Sequence, residues 1–170
     1  MFNKKFVSIL LPITLFTSFS VYSENNKKIL SVGYAYVHVK SAPALNGINL
    51  RAQSQPNSKN FSLLISTTLA QKSFYNDQRL RYASLSMGFS YEFTPYIELY
   101  GTLGVSGLGY KVKNNNNIND NAGSVSWGTG ITFSPYKPIS FTVGYEGSYF
   151  KIAEQHIPTN TLIASLGYRF

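Results

Sequence analysis

Arg81-Tyr-Ala-Ser-Leu-Ser-Met-Gly-Phe-Ser-Tyr-Glu-Phe93 changes character at every residue. Ala83, Leu85, Met87, Phe89, Tyr91 and Phe93 share one parity, and Tyr82, Ser84, Ser86, Gly88, Ser90 and Glu92 the other. A β-strand sends successive side chains to opposite faces. The stretch therefore predicts a strand with one bulky apolar face and one small polar face. The same period of two runs outward from it in both directions. Ile48, Leu50 and Ala52 alternate with Asn49, Arg51 and Gln53, and Ile97, Leu99, Leu103 and Val105 with Glu98, Tyr100, Thr102 and Ser106. Val125, Trp127, Ile131 and Phe133 alternate with Ser126, Gly128, Gly130 and Thr132. Ile139, Phe141, Val143 and Tyr145 alternate with Ser140, Thr142, Gly144 and Glu146. Leu162, Ala164, Leu166, Tyr168 and Phe170 alternate with Ile163, Ser165, Gly167 and Arg169. Two less regular segments, about Ile29–Lys40 and Phe61–Lys72, complete a set of eight strands. In the first, Val37 and Val39 fall on the parity opposite to Val32, Tyr34 and Tyr36; in the second, Leu64 is the exception.

Side-chain size decides which face meets which solvent. Eight strands enclose a lumen only wide enough to be filled by side chains or to hold one small ligand. Ser, Gly and Thr dominate the polar face, and Leu, Ile, Phe, Met and Tyr the apolar one. Small groups inside and large groups outside suit a narrow cylinder wrapped by lipid, whereas a soluble barrel would crowd the bulk inward. Lipid cannot satisfy peptide N–H and C=O groups, so the sheet must close on itself. The expectation is an all-β chain, an eight-stranded antiparallel transmembrane up-and-down β-barrel, closed, over residues 24–170. Tyr91, Phe93, Tyr96, Phe133, Tyr136, Tyr168 and Phe170 fall near one set of strand ends, where an interfacial girdle belongs.

The connections supply direction. Compact turns at Gln55–Asn60, Thr94–Tyr96 and Ser134–Pro138 follow the even-numbered strands. The other links are Ser41–Asn46, Ser73–Arg79, Lys113–Gly123 and Ala153–Thr159, the third of them carrying the Asn-rich run 114–121. Outer-membrane barrels pair short periplasmic turns with longer external loops, which puts both termini of this chain in the periplasm.

Residues 1–23 read as a secretory signal, with Lys4 and Lys5 before the apolar stretch Phe6–Phe16, and Val21 and Ser23 before the cut. Beyond it, no run offers the roughly 18 apolar residues of a membrane helix. The chain has no Cys, which excludes a disulfide scaffold and a thiolate metal site. Only 13% of its residues are charged, where about a quarter is usual in a soluble domain.

Several ordered pieces resemble the Ail/Lom/OmpX family of outer-membrane proteins. They are Gly33-Tyr34-Ala35, Leu45–Arg51, Tyr100–Val105, Gly128–Pro135, Gly144-Tyr-Glu146 and the terminal Gly167-Tyr-Arg-Phe170. The resemblance implies an eight-stranded monomeric barrel without an open pore in the bacterial outer membrane. It also implies a surface role, with adhesion to host cells or matrix, invasion and resistance to complement in some members. Other members are general envelope proteins. The alternating end Leu166, Tyr168 and Phe170 is similar to the signal by which such proteins engage the barrel-assembly machinery. The chain departs from the better-known adhesins in its short first loop and Asn-rich third loop.

Fifteen Lys and Arg oppose seven Asp and Glu, a net charge of +8. Lys40, Lys72, Arg79, Arg81, Lys111, Lys113 and Lys151 fall at the inferred external strand ends, against Asp77, Asp120 and Glu154. Such a basic collar would meet the phosphates of lipopolysaccharide, and secondarily host polyanions such as heparan sulfate. Nucleic acid is not the partner expected of an exported barrel. Parity puts Arg51, Glu92, Glu98, Glu146 and Arg169 in the lumen, where burial requires pairing, so Arg–Glu contacts are expected. A filled lumen offers a substrate no entry, and His38 and His156 lack the partners of a catalytic triad. The chain is read as no enzyme, with no cofactor and no metal. Two functions follow: a surface binding protein for adhesion, invasion or serum resistance, and alternatively a structural envelope protein whose basic rim binds lipopolysaccharide and stabilises the outer leaflet.

Overall fold

The computed structural model describes residues 26–40, 42–56, 60–73, 79–111, 119–136, 138–152 and 155–170. Eight strands follow one another: β1 (Asn26–Val39), β2 (Leu45–Pro56), β3 (Phe61–Ser73), β4 (Arg79–Thr94), β5 (Ile97–Lys111), β6 (Asn119–Tyr136), β7 (Ile139–Ile152) and β8 (Gln155–Arg169). Each pairs antiparallel with its neighbours in sequence, and β8 pairs with β1 from Ile29↔Arg169 to Val39↔Thr159, so the sheet closes. Two further bonds complete the seam: the Lys28 N–H donates to the Phe170 carbonyl at 3.0 Å, and the Phe170 N–H to the Lys28 carbonyl at 2.9 Å. Closure leaves no edge strand with unpaired peptide groups.

The turns at one end are tight because local chemistry makes them so. In the β4–β5 turn the Thr94 hydroxyl accepts from the Tyr96 and Ile97 N–H groups at 3.3 and 3.1 Å, and Pro95 fixes the bend between them. A register shift beside this turn, at Glu92/Thr94, has a counterpart at Phe133/Tyr136. We call this the turn end and the opposite one the loop end.

The alternation resolves as expected over most of the wall. Val125, Leu103, Val143 and Met87 point outward and stay about two-thirds exposed, while Ser126, Thr132, Thr142 and Thr161 point inward and are buried. A continuous apolar belt round a single chain far exceeds the patches a soluble protein leaves bare. Phe61, Tyr91, Phe93, Tyr96, Phe133, Tyr136, Tyr168 and Phe170 stand exposed around the turn end as a girdle.

Near the loop end the pattern inverts, which corrects the expectation of a lumen polar throughout. On β1 the inward residues change from Ser31 and Gly33 to Val37 and Val39, while the outward ones change from Val32 and Tyr34 to His38. On β4, Leu80 and Tyr82 turn inward and Arg79 and Arg81 outward. Val37, Val39, Leu45, Ala70, Leu80, Tyr82, Leu108 and Phe150 pack together there, with Ala42, Ala122 and Ile157 against them. The parity that Val37 and Val39 break is therefore the start of an apolar cork. Above the acyl chains the outer wall meets water, so the inner face becomes the apolar one, as in an ordinary soluble protein.

The strands also run further than their lipid-facing segments. Lys151↔His156 and Ile152↔Gln155 still pair, so the link expected over Ala153–Thr159 contracts to residues 153–154. Likewise Lys111↔Asn119 pairs, and β6 takes up the last part of the Asn-rich run. The inverted alternation of these extensions hides them from a search for outward apolar residues.

Candidate functional site

Two features could serve a surface protein: the charged outer wall at the loop end and the polar lumen beneath the cork. Arg79 and Arg81 on β4 are exposed and outward, and the register puts Lys111 of β5 directly opposite Arg79. Across the barrel, Lys151 on β7 is exposed opposite His156, and exposed Lys40 follows β1, its N–H donating to the Pro158 carbonyl at 3.1 Å. These cations thus form two arcs, one over β4–β5 and one over β7–β8–β1, on opposite sides of the closed sheet. Lys72 does not join them. It pairs with Leu80, whose side chain faces the cork, and lies half-buried on the lumen side because its strand has the parity of Ser66 and Thr68. Lys113, Asp77, Glu154 and residues 1–23 lie outside the described residues.

Below the arcs, a second set of aromatic groups marks the level where the outer wall changes solvent. Tyr34 donates to Asn46 Oδ1 at 2.7 Å, and Tyr145 to Asn160 Oδ1 at 2.5 Å. Trp127 lies 5.4 Å from Tyr145, centroid to centroid. Rings in acyl chains with hydroxyls on polar partners are the arrangement that a membrane interface favours.

Inside, the five lumen charges do not form one network of Arg–Glu pairs. Arg169 and Glu98 meet, Nη2 to Oε1, at 2.8 Å. Glu98 also accepts from Gln53 at 2.6 Å and from Ser90 at 3.4 Å. Arg51 instead donates to Gln53 Oε1 at 3.0 Å and stacks on Tyr100, its Cζ 3.9 Å from the ring centroid. Glu92 accepts from Gln55 at 2.8 Å near the turn end, and Glu146 from Tyr82 at 2.5 Å under the cork. The Tyr100 ring explains the separation. It fills the space beside Gly130 and Gly144, where an added Cβ would overlap its hydroxyl, and keeps the guanidinium of Arg51 on its far face.

Nothing in this arrangement suits chemistry on a substrate. The cork covers the lumen, His38 and His156 are exposed, and the described residues hold no cluster of three metal-ligating side chains. Leu166, Tyr168 and Phe170 lie on the lipid face, with the last two rings stacked 6.4 Å apart.

A family model described as "Outer membrane protein beta-barrel domain" matches residues 13–170. Among curated relatives, the virulence membrane protein PagC of Salmonella typhimurium is 27% identical, over 95% of this chain and 98% of its own length. The attachment invasion locus protein of Yersinia enterocolitica is also 27% identical, over 96% of each. The chain belongs to the family of outer-membrane protein β-barrel domains. The family sets its location, the bacterial outer membrane, and its class, that of barrel proteins rather than enzymes. Among solved structures, Ail of Yersinia pestis in complex with the heparin analogue sucrose octasulfate superposes with a TM-score of 0.78 at 24% identity. That match covers 86% of this family member and 99% of Ail, and establishes the shared fold.

Proposed function

We propose that this outer-membrane protein is a surface binding protein that engages polyanions through the basic wall and loops at its loop end, in adhesion, invasion or serum resistance. The observation that carries the reading is the exposed pair Arg79 and Arg81 on the outer wall of β4, with Lys111 of β5 opposite Arg79 in the backbone register. A fold holding like charges in register gains from a multivalent anion that neutralises them. The Yersinia pestis relative, crystallised with a heparin analogue, supports sulfated host saccharides as one class of ligand. Cations beside an anionic surface contribute about 1 kcal/mol each. Replacing both Arg79 and Arg81 with Gln then weakens heparin binding by about 30-fold. Expression in a non-adherent strain, followed by cell attachment and serum survival, tests the biological role.

A second reading has its own support. The exposed cations follow the Tyr34–Asn46 and Tyr145–Asn160 pairs along the strands, which supports contact with the phosphates of lipopolysaccharide. In that reading the protein is a structural envelope component whose collar of Lys40, Arg79, Arg81, Lys111, Lys113 and Lys151 stabilises the leaflet. Attachment and serum survival at the level of the empty strain, with retained lipopolysaccharide binding, favour it. Unchanged binding of both heparin and lipopolysaccharide after neutralising Arg79, Arg81, Lys111 and Lys113 overturns both readings. As for processing, residues 1–23 are proposed to be a signal removed on export and the terminal aromatic alternation to engage the assembly machinery.

A further inference from the structure

Past the interfacial ring of Tyr145, the outer wall of β7, β8 and β1 carries groups that neither a membrane belt nor the β4–β5 arc accounts for. Tyr149 stands two outward positions beyond Tyr145, about 13 Å further along the strand. It is 63% exposed. Pro158 of β8 pairs with it, and Lys151 in the next outward row pairs with His156. On the other flank of β8, the Lys40 N–H donates to the Pro158 carbonyl at 3.1 Å, and His38 pairs with Asn160. Lys151, His156, Lys40 and His38 are all exposed, so one open ring shares this face with two lysines and two imidazoles.

The face is rigid. Behind it Phe150, Val37 and Val39, inward on the same strands, belong to the cork, and Ile157 packs against them. Tyr149 is held although the β6–β7 pairing ends at Ser126↔Ser148: its N–H donates to Ser124 Oγ at 3.1 Å, and the Ser124 hydroxyl donates to its carbonyl at 2.6 Å. Among the described residues, β7, β8, β1 and β2 present no outward Asp or Glu. The titratable groups beside the two imidazoles are Lys151, Lys40, Tyr36 and Tyr149. The wall thus has one sign of charge. That charge grows in acid, because a histidine gains its proton between about pH 8 and 5.

We propose that Tyr149, Lys151, His156, Lys40 and His38 form a second site, for sulfated saccharides, that binds more tightly in acid. The inference rests on the polyanion-binding reading above and adds to it a separate place and a proton dependence. An exposed tyrosine offers a flat apolar face with a hydrogen-bonding tip, which matches the C–H face and hydroxyls of a sugar ring. Sulfate esters stay ionised throughout this pH range, so the change in attraction comes from the protein. Protonation and binding are reciprocal: the polyanion draws protons onto the imidazoles as acid draws the polyanion onto the wall. Arg and Lys side chains keep their charge over the same range, so the β4–β5 arc lacks this dependence.

The test is binding of heparin oligosaccharides to the protein in zwitterionic detergent at constant ionic strength, at about pH 7.5 and about pH 5.5. The parent is expected to bind about tenfold more tightly in acid. The double variant His38→Gln with His156→Gln binds with one affinity at the two pH values, and Tyr149→Ala binds more weakly at both. Arg79→Gln with Arg81→Gln loses affinity at both but keeps the acid rise, because its arc lies elsewhere. Calorimetry at about pH 6.5, in buffers of different ionisation enthalpy, reads the linkage directly: the parent takes up about one proton per saccharide bound and the histidine variant none. An affinity indifferent to pH in the parent, or an equal acid rise in parent and histidine variant, overturns the inference and leaves the first arc standing. Absence of heparin binding at either pH overturns the polyanion reading together with it. An acid rise seen with lipopolysaccharide and not with heparin overturns the assignment to sulfated saccharides.

Discussion

Arg169, in the last strand, reaches across the lumen to Glu98 of β5, with Nη2 and Oε1 2.8 Å apart. Three strand positions separate them, so the contact forms only when the sheet has curled round. Both groups are nearly buried, and removing one partner of such a pair costs about 3–5 kcal/mol. Arg169→Met is expected to lower stability by that order in urea unfolding. Arg169→Met combined with Glu98→Gln recovers a substantial part, because no charge is then left alone. A single variant as stable as the parent contradicts this role.

The cork gives a second expectation. Phe150 is wholly buried with its ring edge-on to Tyr82, centroids 6.3 Å apart. Phe150→Ala opens a cavity in a packed apolar cluster and is expected to cost about 3–5 kcal/mol. Phe141→Ala, on the half-exposed lipid face, should cost far less, because lipid fills the space. Equal losses in the two variants would mean that no packed core exists at the loop end.

Inversion of the wall predicts where a charge is tolerated. Leu103 is outward between the two aromatic levels, and Asn121 is outward beyond them. Leu103→Arg is expected to cost about 2–4 kcal/mol in lipid vesicles and Asn121→Arg at most about 1 kcal/mol. Unfolding in vesicles measures both, and a reversed order would displace the boundary drawn here.

Tyr100 and Gly144 form a coupled pair. A methyl group on Gly144 meets the Tyr100 hydroxyl, so Gly144→Ala should cost about 1–3 kcal/mol by overpacking. Adding Tyr100→Phe removes the atom in the way and should return much of that loss. A double-mutant cycle with no coupling would show that the ring has another place to go.

The sequence made the membrane wall readable and left its upper end obscure, and both outcomes have one physical origin. Where lipid lies outside and polar groups inside, as from Ala83 to Phe93, parity alone assigns each face. Past Tyr82 the outer medium is water, the inner face turns apolar, and the same parity rule misassigns it; Val37 and Val39 were the visible trace. The extensions of β6 back to Asn119 and of β8 back to Gln155 escape the parity rule for that reason. Lys72 went to the wrong side because its place in the pattern was read from proximity to a strand end rather than from the parity of β3. The lumen charges were legible as a set, but which acid meets which base depends on how Tyr100 divides the space, and no spacing in the chain carries that.

The exchange of faces along each strand also fixes how deep the molecule sits. Sinking by two residues would drag His38, Gln71, Arg81 and Asn160 among hydrocarbon tails. Rising by as much would lift Leu85, Val105 and Val125 into the aqueous layer. Both displacements are opposed, so the cylinder carries its own waterline, and whatever it presents to the outside is held at a constant height above the cell.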